Sequence, residues 1–123
     1  MKILTDYSAK TRKSKTTKYK KQLTALFSEA DENNKKAADI LISRAAFLLA
    51  SLDELEQTIY ERGYIEYYQN GANQKGQMVS PALKTYKMNM SQVLDIMKQL
   101  QTYLPESVEV DELTEFTKQH NKM

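Results

Sequence analysis

Cysteine is missing from all 123 residues, which excludes disulfide frameworks, thiolate zinc sites and thiol nucleophiles. Three Gly and two Pro leave too few turn residues for a sandwich or a barrel, so the chain reads as all-α. His120 is the single histidine, and one imidazole near the end of the chain supports neither a metal site nor an acid/base pair. Long apolar runs are absent too. The longest unbroken one, Ala45 to Ala50, is far short of the ~18 residues a membrane span needs. The start, Met1 to Asp6, has no apolar stretch after Lys2 and does not read as a secretory signal. A soluble, cytoplasmic protein of one domain, with no membrane partner, is the expectation.

What the chain does have is charge, unevenly placed. Residues 1–21 hold eight basic side chains against Asp6 alone, a net of +7. The remaining 102 residues hold ten basic and fifteen acidic groups, a net of −5. Within them, residues 106–123 carry five acids against Lys118 and Lys122. One end of the chain faces a polyanion and the other faces something else.

Three helices follow from periodicity. Residues 1–15 are polar, rich in Lys, Ser and Thr, and lack an apolar period, so they read as a flexible basic arm. A short helix over 16–30 is expected from Tyr19, Leu23, Leu26, Phe27 and Ala30. A second, over 34–62, carries Ala38, Leu41, Ala45, Leu48, Leu52, Leu55 and Ile59 at alternating spacings of three and four, with Asn33 or Asn34 as its cap. Gly63 ends it, free to adopt positive φ. The connector, 63–80, contains Asn70-Gly71 and aromatic residues, and is either a small β-hairpin or an extended loop. Ser80-Pro81 opens a third helix over 81–104, with Leu83, Tyr86, Met90, Val93, Met97, Leu100 and Leu104 on its seam and Pro105 as its stop. The second and third helices form a long antiparallel hairpin in a domain spanning 16–105, with 106–123 as an acidic tail in which Leu113 and Phe116 could anchor a further turn.

Catalytic chemistry has no foothold. Gly71 and Gly76 have phosphate-loop spacing, but Gln77 and Met78 stand where Lys and Ser or Thr are required, so a turn is the reading. Asp53, Glu54 and Glu56 are carboxylates on a solvated helix face. Met90 and Met97 are core filler. Tyr64, Tyr67 and Tyr68 pack the hairpin end with their hydroxyls in water. No cofactor or metal is called for, and the protein is not expected to be an enzyme.

Two features remain. Lys10, Arg12, Lys13, Lys15, Lys18, Lys20 and Lys21 crowd into twelve residues, a pattern that binds phosphates electrostatically without reading sequence or else only solubilises the chain. The second helix also carries Ile40, Ile42, Phe47 and Leu49 beyond its seam, more apolar circumference than a hairpin hides, and these four are the expected contacts of a homo-oligomer.

Gly63, Tyr68-Gln69-Asn70-Gly71, Gly76, Ser80-Pro81, Tyr86 and Leu104-Pro105 resemble the small subunits of tailed-phage terminases, notably from phages of Gram-positive bacteria. The resemblance runs from about Asn34 to Glu106. It implies a non-enzymatic DNA-packaging component in the host cytoplasm, a ring that engages double-stranded viral DNA and recruits the terminase large subunit carrying ATPase and nuclease. Many members have a helix-turn-helix near the N-terminus. Here only one clear helix precedes Asn34, so this part of the family pattern, and with it the reading of a specific site, is not carried over, while phosphate binding rests on the basic arm. The other reading is a helical oligomeric scaffold or adaptor with no nucleic-acid role.

Overall fold

The computed structural model describes residues 8–69, 71 and 75–104. The expected tail over 106–123, with His120, lies outside them. The described chain forms α1 (Ala9–Leu26), α2 (Glu32–Arg62), β1 (Ile65–Gln69), β2 (Lys75–Val79) and α3 (Pro81–Gln101).

The first helix begins earlier than its apolar period suggests. Residues 9–15, expected in a flexible arm, belong to α1, and the helix ends at Leu26 rather than at 30. Ser8 caps it, its Oγ accepting from the Thr11 amide at 3.1 Å. Beyond Ala9, the first two turns carry no apolar residue to reveal them. They are held instead by polar contacts to α2, which no periodicity registers.

Asp31, not Asn33 or Asn34, caps α2, accepting from the Asn34 amide at 2.8 Å. Gly63 closes α2 with φ 81°, its amide donating to the Ile59 carbonyl at 2.7 Å. Ser80 and Pro81 start α3 as read from the sequence, while the end comes at Gln101, with Thr102 as C-cap.

The connector is an antiparallel β-hairpin that pairs Ile65 with Val79 and Tyr68 with Gly76. The missing side chain at Gly76 makes room for an aromatic ring, since a Cβ there would sit 2.5 Å from the Tyr68 ring. At the neck, the Ser80 amide donates to the Tyr64 carbonyl at 2.8 Å, so the strand leaving the hairpin is tied to the residue entering it.

Both α1 and α3 pack along α2. Arg12 near the start of α1 meets Glu54 near the end of α2, and Asn89 of α3 donates to Ser51 at 3.1 Å. Each flanking helix is thus antiparallel to α2, and α1 and α3 run parallel to one another. Their seams meet in one core of Leu23, Phe27, Ile42, Leu49, Leu52, Val93, Met97 and Leu100. Burial of such side chains is worth roughly 1.5–3 kcal/mol each before the chain's entropy loss is counted.

The four expected oligomer contacts divide two and two. Ile42 and Leu49 are each only 2% exposed, sealed within one chain, because Leu23 and Phe27 of α1 join them in the core. Ile40 and Phe47 remain 66% and 65% exposed on the opposite side of α2. At 100° per residue Ile42 and Leu49 point toward α1, whereas Ile40 and Phe47, seven residues apart, share the outer face.

Among the described residues no helix is long and apolar enough to cross a membrane.

Candidate nucleic-acid interface

From Ala9 to Leu26, α1 has seven cationic side chains and not one acid. The structure sorts the seven into two groups. Arg12 turns toward α2, its Nε and Nη2 each donating to a Glu54 carboxylate oxygen at 2.8 Å in a two-pronged pair. That carboxylate holds the guanidinium charged even more firmly than usual. One turn on, the Lys15 ammonium lies 4.0 Å from Asp53, and the Tyr19 hydroxyl donates to the same carboxylate at 2.7 Å. Arg12, Lys15, Tyr19 and Leu23 therefore form the docked side of the helix.

The other five are Lys10, Lys13, Lys18, Lys20 and Lys21, all exposed, and no ion pair among the described residues engages them. Lys10, Lys13, Lys20 and Lys21 fall within about 100° of the wheel and spread over about 17 Å of axis, with Lys18 at the margin. This is a one-signed stripe presented by a helix fixed on its reverse side. It also works against α1 itself. Lys10 and Lys13 stand near the positive end of the helix dipole, and pairs such as Lys10–Lys13 and Lys18–Lys21 repel at i,i+3 spacing. Anions bound along the stripe would relieve both.

Sequence reasoning placed all seven cations on the interface, and the structure brings five together while committing Arg12 and Lys15 to α2. It also corrects the reading of the carboxylates of α2. Asp53 and Glu54 dock α1, and Glu56 is 8% exposed at the contact with α3, where its Oε1 accepts from the Tyr86 hydroxyl at 3.0 Å. Burial first, then this hydrogen bond, pushes the Tyr86 phenol up to about 12. Periodicity cannot show that residue 12 meets residue 54. Only the antiparallel docking does.

The connector tyrosines also differ from expectation. Tyr64 and Tyr67 are 66% and 76% exposed, so they do not pack the hairpin end. Together with Ile65, Met78 and Val79 they leave the two-stranded ribbon with apolar surface in water. A second apolar ridge is Phe47, which stands between two clefts. One is lined by Arg12, Thr16, Ala50, Ser51 and Glu54, the other by Arg44, Leu48, Gln92, Asp95 and Ile96. Among the described residues no three Asp, Glu or His side chains gather to hold a metal ion.

No family model matches the chain, and comparison with curated proteins and with solved structures finds no similar protein.

Proposed function

We propose that the protein is a non-enzymatic DNA-binding component of a viral packaging machine, of the terminase small-subunit kind, which engages duplex phosphates through the outer face of α1. The observation that carries this reading is α1 itself: seven cations, no acid, and five lysines left on the side that α2 does not use. Phosphate binding by such a face is electrostatic and indifferent to sequence. The packaging role and the large-subunit partner rest on the resemblance of the hairpin and its connector. Assembly into a homo-oligomer, through Ile40 and Phe47 and the exposed apolar residues of the β-hairpin, would set several lysine faces around one duplex and multiply a weak contact.

The test is titration of duplex DNA at several salt concentrations. Five lysines engaging one phosphate each give a log–log slope of about −4.5 per chain. Replacing Lys10, Lys13, Lys18, Lys20 and Lys21 by Gln should abolish retention with helical content unchanged. Equal affinity of that variant would remove α1 from the mechanism.

The scaffold or adaptor reading is favoured by one observation, the exposed ridge of Ile40 and Phe47. It requires a mass above that of one chain together with no DNA retention even at low salt.

A further inference from the structure

The exposed ring of Phe47 is a knob with a hole on either side, about 320 Å³ toward α1 and about 400 Å³ toward α3. Either hole is ample for a second phenyl ring, since a cavity of ~150 Å³ can hold benzene. The charges on the two rims tell the holes apart. Toward α1, Arg12 and Glu54 are already joined to each other at 2.8 Å, so that rim offers an incoming surface no unmatched charge. Toward α3, Arg44 and Asp95 are both exposed, and no ion pair among the described residues engages either.

The antiparallel packing sets these groups side by side. Asn89 of α3 meets Ser51 of α2, so four residues on, Val93 comes level with Phe47. Three residues further, Ile96, the neighbour of Asp95, comes level with Arg44. A knob, a hole, a cation and an anion therefore share one small patch.

Such a patch is complementary to itself. In a pair related by a two-fold axis, each contact is made twice, because the same surface serves both copies. An axis beside Phe47 seats the ring of each copy in the hole of the other and turns each Arg44 toward the other copy's Asp95. Exposed Ile40 on α2 and exposed Met88 on α3 extend the apolar surface beyond the charges.

We propose that the cleft between α2 and α3 receives Phe47 of a second copy of this chain, with Arg44 of each copy paired to Asp95 of the other. This rests on the assembly reading above and names the contact that makes it, while DNA binding plays no part. A ring seated in the cleft excludes water from both charges. Opposite charges there attract more strongly than on an open surface, and like charges are correspondingly unfavourable.

Charge reversal tests the pairing, because both residues are exposed and either can be changed without disturbing the core. Arg44→Glu and Asp95→Arg should each weaken self-association about tenfold or more, read as a fall in mass by light scattering across a dilution series, with helical content unchanged. An equimolar mixture of the two singly reversed chains should recover the wild-type mass, since every contact then joins opposite charges again. A pair acting within one chain would not be repaired by mixing. Two reversed chains that fall in mass and stay apart when mixed therefore overturn the reciprocal contact. Unchanged mass in both variants also overturns it, yet leaves assembly standing through another surface. Wild-type protein with the mass of one chain at every concentration sinks the assembly reading and this contact together.

Discussion

Tyr86 and Glu56 meet at 3.0 Å in the contact between α2 and α3, and this pair gives the fold a sensitivity to alkali. The folded chain keeps the phenol protonated to about pH 12, whereas an unfolded tyrosine releases its proton near pH 10. Between those values the unfolded state binds fewer protons than the folded one, so stability falls as pH rises through that window and is fully present below it. Tyr86→Phe should lose this step. Spectrophotometric titration should then show a late-ionising tyrosine of the wild type that is missing from the variant. Leu52, fully buried in the seam, illustrates ordinary packing at the same scale. Leu52→Ala should cost about 2–5 kcal/mol in denaturant unfolding, through lost transfer energy and the cavity left behind.

At the scale of elements, the ends of α2 and α3 show which signals a sequence displays. Gly63 and Ser80-Pro81 were legible because their chemistry is local: a residue without Cβ at positive φ, a hydroxyl accepting from an amide three residues on, a ring that fixes φ. Gly63→Ala should therefore destabilise by about 1–3 kcal/mol, since no side chain crowds the site and the backbone angle alone is penalised. Thermal unfolding checks this. The start of α1 carries no apolar period: Ser8 caps it locally, and its docking is non-local, with Arg12 held by Glu54 and, a turn later, Lys15 and Tyr19 held by Asp53. The same pair of contacts explains why carboxylates that looked like a solvated face have partners. Glu54→Gln should leave α2 and α3 protected from hydrogen exchange while the first turns of α1 exchange faster. An equal change in all three helices would mean that α1 opens only with the whole molecule.

For the whole molecule, the seams of α2 and α3 made the hairpin readable, and the stripe from Tyr19 to Ala30 made α1 readable. What periodicity could not decide was how far that stripe would reach. It reaches Ile42 and Leu49, and so half of the apolar surface reserved for other copies is used within one chain. The two substitutions that looked equivalent now separate. Leu49→Glu places a charge in the core and should unfold the domain, whereas Phe47→Glu should leave the melting temperature near that of wild type. Light scattering on Phe47→Glu then tests assembly cleanly. A fall in mass from an oligomer to one chain is expected, and an unchanged mass would move the interface away from α2.

The one-sided attachment of α1 has a consequence for proteolysis. Trypsin cuts after Lys and Arg in chain that has come loose, and α1 offers it seven such bonds on the helix least supported by its own charges. Cleavage there should begin before any in α2 or α3, and any polyanion that seats on the stripe should slow it.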